Sequence, residues 1–242
     1  MTSVDARIIG PGRAGGALAT ALSGAGWRVD GPLGRDHDAA TATTGARVVL
    51  LAVPDGVVAD VAASLAPGDA VVAHVAGSLA LEVLAPHERV ASVHPLVSLP
   101  DAAIGARRLS GAWFAVAGDP VAAEIADALG GRAVQVADED RAAYHAAAAV
   151  AANHLVALLG QVERLARQVG VPVEAYLDLA RGALDNVAEV GPAAALTGPV
   201  ARGDRATVAR HLAAIPPDER ATYAILAEAA QRLVDEPAGA TA

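Results

Sequence analysis

The sequence predicts an α/β fold in which a mostly parallel sheet is followed by an all-helical C-terminal domain. Three observations carry this. Short apolar runs rich in β-branched residues alternate with helical stretches as far as residue 137, a glycine-rich turn follows the first run, and no strand-like run occurs after 137. The expected division is therefore residues 1–137 and residues 138–242. A length of 242 residues agrees with one or two domains.

Residues 6–10 form a short apolar run, and 17–22 are Ala- and Leu-rich with helical propensity. Residues 27–33 read as a weak strand. The run 47–53 (RVVLLAV) is continuous and β-branched, as expected for a strand covered on both faces. Pro54-Asp55 then opens a helix over 57–65. Another buried strand spans 70–75, followed by a short helix over 79–84. Strands follow at 89–93, 113–117 and 133–136, with a helix over 121–129 between the last two. Asp138 is placed to cap the next helix, with Glu139 and Asp140 in the first turn, where the helix dipole favours negative charge. That helix runs to 169 and is broken by Gly170-Val171-Pro172. Helices over 173–190, 205–214 and 218–234 complete the chain, punctuated by Pro192, Pro199, Pro216 and Pro217. Residues 236–242 read as a frayed tail.

Composition removes several chemistries. The chain has no cysteine and no lysine, so all 18 basic residues are arginine. Disulfides, thiolate nucleophiles, Cys-based zinc sites, Schiff bases and a Walker-A lysine are excluded. No metal site is expected. Apolar residues make up 54% and aromatics 2%, so the core must be aliphatic. A net charge of −9 without a basic cluster argues against nucleic acid as a partner. Residues 142–162 carry no charge and are long enough to span a bilayer. They nevertheless contain Tyr144, His145, Asn153, His154 and Gln161 and are rich in Ala rather than Leu, so a buried helix is expected instead of a membrane span. The first residues lack a basic segment followed by an apolar one, and a cytoplasmic location is expected.

Gly10, Gly12 and Gly15 fit G-x-G-x-x-G between a strand and a helix. The first glycine permits the tight turn, the second lets a pyrophosphate approach the backbone, and the third lets helix and strand pack closely. Phosphates then meet free N–H groups at the helix N-terminus. This is the turn of a Rossmann-like dinucleotide-binding domain. The ribose partner depends on where the second strand ends. Asp30 lies at the spacing of an acid that holds the 2′-OH of NAD. If the strand runs on to Leu33, Arg35 follows its tip and suits the 2′-phosphate of NADP. Arg35 and NADP(H) are preferred over NAD(H).

Seven histidines are present, and in the absence of Lys and Cys they are the natural proton-transfer groups. His37, His87 and His211 read as surface residues. His74 and His94 end apolar strands, and ligands bind at the carboxyl ends of strands in such sheets. His145, Ala149 and Asn153 are four apart, which places them on one face of the long helix, with His154 beside Asn153.

Seven ordered pieces together resemble a known two-domain family. They are IIGPGRAGGALATAL at 8–22, GR at 34–35, LAVPD at 51–55, HVAGS at 74–78, SVHPL at 92–96, YHAAAAVAANHLVALL at 144–159 and LTGPVARGD at 196–204. The family pairs a Rossmann-like N-terminal half with a C-terminal half known as domain of unknown function 2520. The resemblance implies the fold of the 6-phosphogluconate-dehydrogenase-like reductases, kin to ketopantoate reductase, pyrroline-5-carboxylate reductase and prephenate dehydrogenase. Two departures stand out. Many β-hydroxyacid dehydrogenases and ketopantoate reductases carry a lysine four residues before the helix Asn, where this chain has Ala149. The usual Ser-Gly after the fourth strand is Ala76-Gly77 here, with Ser78 displaced by one place. By contrast, His94-Pro95 and His145 with Asn153-His154-Leu155 are similar to the histidine motifs of prephenate dehydrogenase, which implies a histidine-based proton relay.

The expected activity is that of an NAD(P)H-dependent oxidoreductase reducing a small carbonyl or imine in an interdomain cleft, with a 2-oxo acid such as ketopantoate as first candidate. Gly10, Gly12, Arg13, Ala14, Gly15, Arg35, Ala52, Val53 and Pro54 are assigned to the cofactor. His145 or His94 would supply the proton and Asn153 would orient the substrate. His74, Ser78, His154 and Arg202 would contact it, Arg202 through a carboxylate. Two other readings stay open: a catalytically silent NADP(H)-binding regulatory or redox-sensing protein, and a prephenate-type oxidative dehydrogenase. The apolar helical half is expected to pair with a second copy as a homodimer.

Overall fold

The computed structural model describes residues 3–36 and 38–235. His37 and the tail 236–242, for which the sequence suggested a surface position and fraying, lie outside these residues. The chain forms two compact units, Met1–Ala152 and Asn153–Ala242. The division comes later than residue 137, where the strand pattern stops. The first helical turns after the sheet stay with the first unit because Asp138 accepts the Leu81 backbone N–H at 3.0 Å.

The first unit contains seven strands: β1 (Val4–Ile9), β2 (Val29–Leu33), β3 (Ala46–Leu51), β4 (Val71–His74), β5 (Val90–Pro95), β6 (Trp113–Gly118) and β7 (Arg132–Gln135). They lie in the order β2-β1-β3-β4-β5-β6-β7. β1 to β5 are mutually parallel where paired, β6 runs antiparallel to β5, and β7 is parallel to β6. The sheet is thus mostly parallel, and the strand order reverses at β1.

Alternate residues of β1, β3 and β4 enter two separate cores. Ala6, Ile8, Val48, Leu50, Val93 and Phe114 face helices α1 (Arg13–Gly24), α3 (Ala102–Leu109) and α4 (Val121–Ala128). Ile9, Val49, Leu51 and Val72 face helix α2 (Val58–Ser64) and a 3-10 turn, Leu81–Leu84. Both faces are dry, which is why the strands read as unbroken apolar runs. Each fully buried Val, Leu or Ile contributes about 2 kcal/mol.

Two elements differ from the sequence reading. The short helix expected over 79–84 is a 3-10 turn of four residues. Helix α3 was not anticipated. It is capped by Asp101, whose carboxylate accepts the Ile104 N–H at 2.8 Å. It lies so close to α1 that a Cβ added to Gly105 would come within 2.8 Å of the Ala17 methyl.

The helical stretch after the sheet is also not one regular helix. α5 (Arg141–Ala149) and α6 (Leu155–Val169) are joined by a π-helical turn, Val150–His154. Its hydrogen bonds run from i to i+5 instead of i to i+4. The boundary between the two units falls inside this turn.

The second unit holds α6, α7 (Val173–Ala195), α8 (Arg205–Ala214) and α9 (Pro217–Asp235), with no strand among its described residues. Gly170 ends α6 in the left-handed conformation (φ 69°). α7 is kinked where Gly191 adopts φ 78° before Pro192. Asp204 caps α8 by accepting the Thr207 N–H at 3.0 Å. Glu219 joins α9 to α6: its backbone oxygen accepts from Gln161 at 2.9 Å, and its carboxylate pairs with Arg164.

Candidate functional site

The carboxyl edge of the parallel strands collects the functional candidates. Register places Leu33 beside Ile9, Ile9 beside Leu51, Leu51 beside His74 and His74 beside Ser92. The turns after these residues therefore share one rim, with the switch point between β1 and β3. In open α/β sheets this is where ligands bind.

The first turn fits a pyrophosphate. Gly10 adopts φ 117°, and any side chain there would strike the Ala52 carbonyl oxygen across the β1/β3 crevice. A Cβ on Gly15 would collide with the Gly10 carbonyl, so strand end and helix start are pressed together. Gly12 has open space where its Cβ would be. It N-caps α1 without any side-chain hydrogen bond, and no acid occupies the first turn. The leading N–H groups, those of Arg13, Ala14 and Gly15, are thus left for an external anion. Ala52 and Val53 form the opposite wall next to Gly10, with Pro54 exposed beyond them.

β2 extends to Leu33, and the Gly10 N–H donates to the Leu33 carbonyl at 2.9 Å. Asp30 is consequently inside the strand, where the Arg7 guanidinium holds it at 2.7 Å. Arg35 follows the strand tip and is exposed, with no ion pair among the described residues.

The second cluster is built from β4, β5 and the start of α5. His74, Ser92 and His94 share one face of the sheet, since His74 pairs with Ser92 and His94 lies two residues further on. The His94 Nδ1 and the Tyr144 hydroxyl share a hydrogen bond of 2.7 Å. The His94 ring meets Tyr144 and His145 edge-on, with centroids 5.6 and 5.8 Å apart. Gly77 supports both imidazoles. A Cβ there would strike His145 and come within 2.9 Å of His94 Nε2. This explains why position 77, three residues past the strand end, must be glycine. Ser78 itself donates to Asp55 at 3.2 Å.

The electrostatics keep His74 and His94 neutral. Burial, then the Arg141 guanidinium, depress His74 from 6.5 to about 4. Burial, then His145 and Arg141, depress His94 to about 4, with Asp55 opposing. Burial raises the Tyr144 hydroxyl above its usual 10. At neutral pH the pair is thus a neutral imidazole bonded to a neutral phenol, which together hold a transferable proton.

Sequence reading found His74, His94 and His145 but missed Tyr144 and Arg141. Arg141 is fully buried. Its Nε donates to Asp138 at 3.1 Å, while Nη1 and Nη2 have no partner. The signal in the sequence was one arginine at the head of an otherwise uncharged helix. Asn153, His154 and Arg202 belong to the second unit and are exposed there. Of the three histidines expected at the surface, His211 is exposed and bonds Tyr223 at 2.7 Å. His87 is instead half-buried, because it bonds the Ala62 carbonyl at 2.9 Å. No group of three or more possible metal ligands occurs among the described residues.

Residues 113–230 match the family model described as Domain of unknown function (DUF2520). No curated protein matches the chain. Among solved structures, protein TM1727 from Thermotoga maritima is similar over 95% of this chain and 98% of its own, at 23% identity and a TM-score of 0.72. BF3122 from Bacteroides fragilis, described as a candidate NADP oxidoreductase, aligns over 95% and 98% at 20% identity, TM-score 0.76. Pyrroline carboxylate reductase from Plasmodium falciparum, solved with NADP bound, aligns over 97% and 99% at 14% identity, TM-score 0.64. At these identities the likeness establishes a shared fold, a Rossmann-like sheet followed by helices.

Proposed function

We propose that this chain, whose residues 113–230 match the DUF2520 model, is an NADPH-dependent reductase of a small carbonyl or imine compound. One observation carries the reading: a glycine turn whose Gly10 and Gly15 admit no side chain and a proton-sharing His94–Tyr144 pair occupy the same carboxyl edge of one mostly parallel sheet. The fold is shared with a reductase that binds NADP. A 2-oxo acid remains the first candidate substrate.

In this reading Gly10, Gly12, Arg13, Ala14 and Gly15 hold the pyrophosphate, and Ala52, Val53 and Pro54 line the crevice. Arg35 receives the 2′-phosphate, since Asp30 is already engaged by Arg7. Bound there, NADPH supplies a hydride to the carbonyl or imine carbon. The chain supplies the matching proton to the oxygen or nitrogen. Tyr144 and His94 share that proton, and half-buried His145 stands at their outer side. This pair takes the place of the lysine that is absent at Ala149. Asn153 and His154 remain candidate substrate contacts on the second unit. The protein is cytoplasmic and works as a homodimer through its helical unit.

Titrating wild type and Arg35→Ala with NADPH and NADH tests the cofactor assignment. Wild type should prefer NADPH, and the variant should lose about tenfold in NADPH affinity with little change for NADH. Equal losses for both would overturn the role of Arg35. Turnover is read as NADPH oxidation on a panel of 2-oxo acids and imines. Tight NADPH binding with no turnover would favour the silent binding protein, a reading that Ala149 supports. Substrate-dependent reduction of NADP+ would favour the oxidative dehydrogenase.

A further inference from the structure

We infer that Arg141 is an anion-binding group of this site and that the ligand it takes is a carboxylate. Where that ligand is called substrate, the assignment rests on the reductase reading; the binding of the anion does not.

Arg141 is fully buried, yet only its Nε is engaged. Asp138, the partner, divides its two oxygens: one accepts from Arg141 Nε at 3.1 Å and the other from the Leu81 N–H at 3.0 Å. The two terminal nitrogens, Nη1 and Nη2, have no acceptor. Around them the protein offers more donors. His74 is fully buried, and the Ser92 hydroxyl, its neighbour in register, is buried and unpartnered. Arg141 is near enough to His74, His94 and Tyr144 for its charge to act on each of them. His74 and His94 stay neutral and cannot balance it.

A buried guanidinium with an empty fork is a pair of donors lacking acceptors. Its complement is a planar anion with two oxygens, for which arginine has the matching geometry. Half-buried His94, Tyr144 and His145 form the outer side of the cluster. A carboxylate on the Arg141 fork would lie beside the proton-sharing pair, as a 2-oxo acid requires. The sequence had assigned this role to Arg202, which is exposed in a turn of the second unit.

The test measures binding of pyruvate and of its neutral amide, pyruvamide, by calorimetry to the full chain without cofactor. Wild type should bind pyruvate and discriminate against pyruvamide by about tenfold or more. Arg141→Gln should abolish that discrimination while leaving NADPH affinity within about twofold, because the glycine turn is untouched. If Arg141→Gln does not fold, Arg141→Lys keeps the charge but not the fork, and should bind pyruvate with intermediate affinity. Asp138→Asn removes the competing carboxylate and should tighten pyruvate binding, which a purely structural arginine would not do. Equal binding of pyruvate and pyruvamide, no pyruvate binding, or pyruvate binding that Arg141→Gln leaves intact would each overturn the inference. Pyruvate binding in a protein that fails to bind NADPH would overturn the reductase reading and leave this one standing.

Discussion

His74 and His94 have ring environments that resist a proton, and this has a consequence for the stability of the whole chain. Both are depressed from 6.5 to about 4, chiefly by burial. The unfolded chain takes up protons below about pH 6.5 that the folded one refuses until about pH 4. Stability is therefore complete above the upper value and falls as pH drops through this window. The loss is up to about 3 kcal/mol for each histidine. The facing groups are Arg141 and His145, which oppose protonation, and Asp55 and Asp138, which favour it. Asp5, Asp204 and Glu219 are held below their usual values by hydrogen bonds from Arg28, Thr207 and Arg164, so their losses come at lower pH. Urea melts between pH 7.5 and 4.5 should show the decline, and His74→Leu should remove roughly half of it. A variant that keeps the full slope would show that His74 is not the group concerned.

At the scale of elements, the start of α1 separates a structural glycine from a functional one. A methyl on Gly10 or Gly15 would collide with backbone, so either substitution damages the fold itself. Gly12 faces open space and already has φ −74°, which alanine adopts freely. Gly12→Ala should therefore melt within about 1 kcal/mol of wild type, yet bind NADPH at least about tenfold more weakly because the methyl stands where the pyrophosphate approaches. Unchanged affinity would remove the glycine turn from the cofactor site. α3 was missed in the sequence although it has its signals, an Asp101 cap and Arg107 and Arg108 in its last turn. Gly105 in its middle weakened the helical pattern, and only packing against α1 shows why a glycine is needed there. The π turn could not be read either. It changes the hydrogen-bonding step, not the residue pattern.

For the whole molecule, the two units differ sharply in how they bury apolar surface. The sheet unit has two dense cores, whereas Gln161, Ala166 and Glu219 are the buried residues among those described in the helical unit. Val156 and Leu179 are each 70% exposed there. The segment Asp138–Val169 is also long and apolar enough to cross a membrane by length and composition. An apolar surface of this kind calls for a covering partner, and the proposed homodimer supplies one. Light scattering at micromolar concentration should give twice the chain mass, and Leu179→Glu should shift it toward the monomer. A monomeric wild type would sink the homodimer, and association with vesicles instead would replace it with a membrane surface.

The sequence by itself determined the order of the strands and of most helices, the mostly parallel sheet, the glycine turn and the strand-end histidines. These follow from local periodicity and from residue types whose backbone needs are short-range. Tertiary structure alone decided that β2 reaches Leu33 and so leaves Asp30 to Arg7. It also brought Tyr144 to His94 and buried Arg141 beside His74, across separations of 50 and 67 residues from the partners' positions in the chain. Such pairings depend on which strand ends lie side by side in the sheet. That is a matter of long-range packing, and no window of sequence contains it.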